Sequence, residues 1–458
     1  MKLRFNENLL RLAEVIQKKY GVILYIVGGY VRNFLLTGEP SGDVDLSGPL
    51  LGEDFIAAAK ECGFTDFAEY KNTGTVKCSC SGTSYEFTSF RQDTYKRGGN
   101  HIPEKAVFTT DIIKDARRRD FKCNAIYYDL YNGRVVDPLN GKKEVKNKRL
   151  VCADLSVKVF SHDGLRLMRL GRFCGELGFK PSLKTFLAAR FFSSNVSDIS
   201  PERIFDELKK ILVADEKYEF SPENGAYIGL KILDKTRVLD KIIPELTIGR
   251  GMRQRKDFHD YDVLEHSLKC VLYAPKGIRL AALLHDVGKP YCKKHTGRYA
   301  KHDVEGALLA ETILKRLKAP NKVIEQVSFL TKYHMYDIDC KTKESKVRRF
   351  IVENYDKIPE LLELKQADYS ACKDSSDIAP TVKRWRDILL KMESEKAPVN
   401  LKDLAVTPED LIKEGFKGKE IGDTLKLLLR EAVVKPKLNE KQMLLKIAKK
   451  HKTEEIDK

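Results

Sequence analysis

The chain of 458 residues contains no run of about 18 apolar residues, so no transmembrane helix is expected. The early lysine of MKLRFNENLLRLAEVIQKKYG is the one signal-peptide feature there. Asn, Glu and Arg interrupt its apolar residues, which predicts an amphipathic first helix instead. There is no internal repeat and no low-complexity tract. None of the ten cysteines forms a Cys-x-x-Cys pair, which argues for reduced thiols in a cytosol over a disulfide framework or a zinc knuckle. Acidic charge is the scarcer sign: 83 Lys and Arg face 66 Asp and Glu, a net charge of +17. Such an excess is expected where the partner is a polyanion, because the cations release counterions from a phosphate backbone; plain solubility is the competing reading.

The length exceeds one ordinary domain and predicts about three to four. A hydrophobic fraction of 42% lets each bury a core. Residues 22–29, VILYIVGG, read as a buried strand feeding a Gly-Gly turn, with a helix from about Val31. A second short strand carries Asp43-Val44-Asp45-Leu46. Alternation over residues 75–90 around Ser81-Gly82-Thr83 predicts a hairpin, and Asn132-Gly133 predicts another with a tight I′ turn. The chain before Val151 therefore reads as a mixed α/β domain with a small sheet. After it no strands are expected. Apolar residues recur at helical spacing from Lys158 to Phe179, and Ser200-Pro201 opens a helix with Ser as its cap and Pro at its first position. A basic link near Arg250 to Lys256 separates the next helical unit, and the last segment has its own helices around the turn Gly415-Phe416-Lys417-Gly418-Lys419.

Glycines at a strand-to-helix turn, here Gly28 and Gly29, let backbone N–H groups approach a triphosphate at a helix N-terminus. Arg32, one turn on, reaches the same region. Asp43 and Asp45 alternate on one strand, so both carboxylates face the same place. Two hard oxygen ligands on one face suit Mg²⁺, which can clamp attacking and leaving oxygens. Alone, Gly-Gly also fits a tight turn and Asp-x-Asp a solvated loop; together they are much more specific. The combination resembles the nucleotidyltransferase superfamily that includes DNA polymerase β. A third carboxylate often lies on a nearby strand in that superfamily, and Glu86 in Tyr85-Glu86-Phe87 fits it, as it also fits an exposed strand face.

Arg117-Arg118-Arg119-Asp120-Phe121-Lys122-Cys123-Asn124-Ala125 offers bidentate guanidinium groups for a triphosphate, with Asp120 and Asn124 to hydrogen-bond a ribose or order the arginines. With the upstream motif it resembles the R-R-D-F-x-x-N-A motif of bacterial-type, class II CCA-adding enzymes and their poly(A) polymerase relatives. The likeness extends along the chain. Thr88-Ser89-Phe90-Arg91 through Asp115 resembles the loop that switches the family from C to A addition, here at full length. His162-Asp163-Gly164-Leu165-Arg166, followed by Arg169, Arg172 and Phe173, resembles the base-selecting E-D-x-x-R motif, with His162 where Glu is usual. Asp163 and Arg166, neighbours on one helical face, would pair with the amino group and ring nitrogen of C or A. G and U would leave those buried groups unpaired. Glu202 and Arg203 in Ser200-Pro201-Glu202-Arg203-Ile204 resemble a neck helix that organises the pocket. Asn400 to Leu429 resembles the family's tail, where Gly418 and Lys419 would meet tRNA phosphates.

His266, His285-Asp286 and Asp368 have the spacing of an HD phosphohydrolase domain, within Ala281-Ala282-Leu283-Leu284-His285-Asp286-Val287-Gly288-Lys289. His302 and His334 stand where two-metal HD domains carry further ligands. Imidazoles with carboxylates suit Mn²⁺, Ni²⁺ or Fe²⁺ and phosphoester hydrolysis. His259 and His295 fit no role.

The resemblance thus implies an α+β fold: a polymerase-β-like head with a small mixed sheet over residues 1–150, then an all-α neck (151–250), HD domain (251–375) and tail (376–458). It implies a cytoplasmic enzyme that adds CCA to the tRNA 3′ end from CTP and ATP with Mg²⁺. An A-adding enzyme, a poly(A) polymerase, and an HD phosphohydrolase with an inactive head are the alternatives. Oligomeric state is not encoded legibly.

Overall fold

The computed structural model describes residues 5–95 and 104–456. The central part of the proposed switching loop lies outside the described residues. The chain forms two compact units, 1–247 with 313–319, and 248–312 with 320–458.

The first unit opens with the amphipathic helix α1 (Glu7–Tyr20), which buries Leu9, Leu12, Ala13 and Ile16 and ends on Gly21 in the left-handed region. Strand β1 (Tyr25–Val27) runs into α2 (Gly29–Thr37), and β2 (Val44–Gly48) returns antiparallel to β1. Helix α3 (Gly52–Glu61) follows, then β3 (Thr65–Tyr70), β4 (Thr75–Cys80) and β5 (Thr83–Ser89). Phe55 of α3 stacks on Phe87 of β5 at 4.1 Å between ring centroids. The hairpin β6 (Arg91–Thr94) and β7 (Lys105–Phe108) stands apart; α4 (Ile112–Arg117), β8 (Tyr127–Asp129) and β9 (Arg134–Val136) complete the head. The mixed sheet has seven strands in the order β3-β4-β5-β2-β1-β8-β9. Only β2 and β5 pair in parallel, with Asp45 opposite Glu86, so the two carboxylates share a face.

Four local details differ from the sequence expectation. The β8–β9 hairpin closes through a four-residue loop, because β8 ends at Asp129 and pairs it with Arg134. Asp129 takes hydrogen bonds from the Asn132 N–H and side chain, and only Gly133 adopts positive φ there. Strands do not stop wholly at Val151: β10 (Arg149–Leu150) pairs in parallel with β11 (Lys180–Pro181). The helical run from Lys158 is broken, after α5 (Gly141–Lys146), into α6 (Ser156–His162) and α7 (Leu165–Leu177), with Asp163 and Gly164 between. Gly164 is required there: a β-carbon would lie 2.1 Å from the Asn195 carbonyl. After α8 (Leu183–Phe191), α9 (Pro201–Leu212) begins with Pro201, but Ser200 makes no side-chain cap.

The second unit is helical among the described residues. Its core includes Trp385, fully buried, whose Nε1 donates to Asp337 at 2.9 Å. The helices Val263–Tyr273, Arg279–Leu284, Asn321–Tyr333 and Ile358–Lys373 enclose the histidine cluster. No helix among the described residues is long and apolar enough to cross a membrane.

Candidate functional site

The first unit carries a cleft of about 600 Å³ lined by Gly28, Gly29, Asp43, Asp45, Asp120, Asn124, Asp163, Arg166 and eight further cations among other residues. The sheet puts the acidic side in place. Gly28 caps α2 with φ of 88°, a conformation that an L side chain resists. A β-carbon on it would stand 3.4 Å from Asp45 Oδ2, so the glycine turn and the carboxylate are immediate neighbours. Asp43 lines the same cleft one residue before β2. Burial raises Asp45 to about 6, and the facing Glu86 and Asp43 carboxylates add to the rise against the pull of Arg119. Glu86 also pairs with Lys77 at 3.6 Å. Clustered carboxylates that repel one another, beside a backbone turn open to phosphate, are a donor set fitted to a hard divalent cation.

The opposite wall is cationic. Asp115, fully buried, receives Arg118 at 2.7 Å, Arg119 at 3.1 Å and the Tyr127 hydroxyl at 2.6 Å. Asp120 Oδ2 receives Arg169 Nε at 2.7 Å, and its Oδ1 receives Asn124 Nδ2 at 3.0 Å and the Phe121 N–H at 2.7 Å. Asn124 in turn accepts from Arg32 Nη1 at 2.6 Å, while Arg32 Nε and Nη2 go to Asn33. Arg32 therefore lies buried at the cleft floor, its guanidinium held by the Asn33 and Asn124 amides. Arg172 is held by Glu207 at 2.8 Å and Glu176 at 3.2 Å. Burial would raise the Asp120 carboxyl, but Arg169, Asn124 and the Phe121 N–H outweigh it and hold it at about 2.

Arg117 is exposed and lies outside the lining, and so does Glu202, whereas Arg203 reaches the cleft. Asp115 and Glu207, which aim the arginines, were given no role by the sequence reading. The signal existed: Asp115 stands three and four residues before Arg118 and Arg119, the spacing of helical ion pairs.

Asp163 and Arg166 meet by a different geometry from that expected. Asp163 sits at the break before α7, its Oδ1 accepting the Leu165 N–H at 2.9 Å, and Arg166 Nε lies 3.4 Å from its Oδ2. Asp163 lies just outside α7 and Arg166 within its first turn, so the pair straddles the helix start instead of sharing a helical face. Arg166 Nη2 donates to the Arg118 carbonyl at 2.6 Å, and its guanidinium lies 5.9 Å from the Tyr95 ring centroid. His162 does not line the cleft; it stacks on Tyr95 at 5.1 Å.

In the second unit, two groups meet at Asp286. His266 Nε2 is 2.9 Å from Asp368 Oδ1 and 3.3 Å from His285 Nε2, and Asp286 Oδ2 is 3.3 Å from His285 Nε2. On the other side Asp286 Oδ1 lies 3.3 Å from His302 Nε2 and 3.7 Å from His334 Nε2. The Nδ1 atoms of His285, His302 and His334 contact the carbonyls of Ala282, Tyr299 and Thr331 at 2.6 to 2.8 Å. Each such carbonyl accepts from Nδ1–H and leaves Nε2 facing inward. His302 Nε2 and His334 Nε2 then face each other across 3.3 Å, and a cation between them would take both as ligands. Lys289 closes on Asp286 at 2.6 Å.

Carboxylates collected for a cation, facing guanidinium groups collected for a triphosphate on a small mixed sheet, define a nucleotidyltransferase. Residues 24–151 match the "Poly A polymerase head domain", residues 178–248 the "Probable RNA and SrmB- binding site of polymerase A", and residues 306–448 the "tRNA nucleotidyltransferase domain 2 putative". The A-adding tRNA nucleotidyltransferase of Deinococcus radiodurans is 31% identical over 369 residues, 77% of each chain. The CC-adding tRNA nucleotidyltransferase of Thermus thermophilus is 31% identical over 424 residues, 88% of each chain. The crystal structure of the Bacillus stearothermophilus CCA-adding enzyme in complex with CTP superposes with a TM-score of 0.65 at 23% identity, covering 99% of this chain and 100% of that one. The chain belongs to the bacterial-type tRNA nucleotidyltransferase family, which groups CCA-adding enzymes with poly(A) polymerases.

Proposed function

We propose that this enzyme adds C and then A to the 3′ end of tRNA from CTP and ATP, in the cytoplasm and without a nucleic-acid template. The observation that carries this reading is the shared cleft: the glycine turn, Asp43 and Asp45, the arginine wall and the Asp163–Arg166 pair all line it. Asp43 and Asp45, with Glu86 beside them, would hold Mg²⁺, which supplies positive charge to the reacting oxygens. Arg118, Arg119 and Arg169 grip the triphosphate, Asp163 and Arg166 read the base edge, and Tyr95 flanks them. The tRNA 3′-OH forms a bond to the α-phosphate as the bond to pyrophosphate breaks. Residues 1–150 supply the chemistry and 151–250 the base choice. Residues 376–458, with Gly418 and Lys419 at a helix start, face the polyanionic acceptor arm, which suits a chain of net charge +17.

A second reading has its own support. Residues 251–375 act as a metal-dependent phosphohydrolase, because the imidazole Nε2 atoms converge on Asp286 as a dinuclear Mn²⁺, Ni²⁺ or Fe²⁺ site requires. Purified protein is offered Mg²⁺ with tRNA ending before CCA, after CC, or complete, and CTP and ATP singly. Addition of C to the first and A to the second is expected. Addition to the second alone identifies an A-adding enzyme, long A tails a poly(A) polymerase, and no addition removes the first reading.

A further inference from the structure

His259, which the sequence reading left without a role, stands beside the histidine pocket with Cys372. Among the described residues, ligand atoms of His259, His266 and Cys372 lie within 4.8 Å of one another. Neither His259 Nδ1 nor His266 Nδ1, both buried, has a hydrogen-bond partner among the described residues. The loop bearing His259 is pinned to the helix end that bears Cys372. Asp260 donates its N–H to the Cys372 carbonyl at 3.0 Å, and the Tyr261 hydroxyl and Lys269 both bond Asp374, Lys269 at 2.7 Å. The His259 and His266 rings also meet edge to face at 4.8 Å between centroids, and the Cys372 thiol donates to the Asp368 carbonyl at 3.3 Å, so the three side chains are held close together.

We propose that His259, His266 and Cys372 form a third metal position at the mouth of the histidine pocket, one that selects a thiophilic cation such as Zn²⁺. Two imidazoles and a thiol are soft to borderline donors, unlike the carboxylate-bearing sets around Asp286. Ligands at about 2.0 to 2.3 Å from Zn²⁺ stand roughly 3.3 to 3.8 Å apart, so closing the group takes small rotations of His259 and Cys372. Both of these residues are half-buried, which allows the rotation and leaves the remaining coordination open to water. His266 belongs to this group and to the set with His285 and Asp368, so the two positions draw on one side chain. Zn²⁺ at the mouth competes with the metal that the hydrolytic reading requires, and lowers that pocket's affinity for it. The inference rests on that reading only for what His266 is shared with.

The test uses the full chain, stripped by chelation and titrated with Co²⁺. A thiolate-to-cobalt charge-transfer band in the near ultraviolet is expected in the wild type and in Asp286→Asn, and its loss in Cys372→Ser and His259→Ala. Zn²⁺ is expected to displace the band. In the wild type, which needs no variant to fold, Zn²⁺ is expected to protect Cys372 from iodoacetamide by peptide mapping. No band at saturating Co²⁺, or a band that survives Cys372→Ser, overturns the proposal. So does a band that vanishes in Asp286→Asn, since Cys372 would then serve only the hydrolytic set. Absence of phosphoester hydrolysis by the metal-loaded wild type, with the band intact, would count against the phosphohydrolase reading alone.

Discussion

Arg166 donates to the backbone carbonyl of Arg118 at 2.6 Å, which ties the guanidinium proposed to read the base to the peptide that carries one proposed to grip the triphosphate. In the proposed function, base choice and phosphate grip therefore share a support. Lysine keeps the charge of Arg166 but loses the planar fork that spans the carbonyl, Asp163 and a base edge. Arg166→Lys is expected to lower kcat/KM for CTP and ATP by about 10- to 100-fold and to narrow the preference over UTP and GTP. Single-nucleotide incorporation with each triphosphate measures both. Unchanged discrimination would remove Arg166 from base reading.

Asp115 is the buried anchor of the arginine wall. Asp115→Ala leaves two guanidinium groups and the Tyr127 hydroxyl without their carboxylate. Removing one partner from such a cluster costs about 3 to 5 kcal/mol, seen as a fall in the midpoint of urea unfolding of the whole chain. A rise in KM for both nucleotides should accompany it. A variant as stable as wild type would show that Asp115 is dispensable to the wall.

Asp120 makes stability depend on pH in a defined window. Its folded pKa of about 2 lies below the unfolded carboxylate value near 3.9, so its contribution is complete above pH of about 4 and is lost as pH falls towards 2. That difference corresponds to roughly 2 to 3 kcal/mol. Asp120→Asn should be less stable at neutral pH and should flatten the acid limb of the stability curve. Parallel curves for the two proteins would contradict the assignment.

The glycine turn, the paired aspartates and the arginine run were legible because each is a short chain segment with its own chemistry. The β4–β5 hairpin was legible because Ser81-Gly82 marks its turn, and both residues take positive φ. The helix break at Asp163 was not, because the apolar period runs through it and only the tertiary contact of Gly164 with Asn195 forces the interruption. Arg32 reads as a phosphate ligand in sequence. The fold buries it against Asn33 and Asn124, which hold its guanidinium, and Asn124 is 92 residues away. Likewise Cys372 joins His259 only through the fold.

Asp286 lies between two groups of imidazoles whose Nε2 atoms converge on its carboxylate. Binding energy that a cation gained there would be folding energy for the second unit. At a free metal concentration 100 times Kd, stabilisation reaches about 2.7 kcal/mol. Mn²⁺ or Ni²⁺ should therefore raise the thermal midpoint of chelator-stripped protein, and Asp286→Asn should remove most of that rise. Because Asp286 belongs to the second unit, the same variant should keep nucleotide addition to tRNA, whereas Asp45→Ala should lose addition and keep the metal-induced rise. A rise of equal size in Asp286→Asn would show that the added metal binds elsewhere. The histidine cluster would then be a buried hydrogen-bonded core and no metal site.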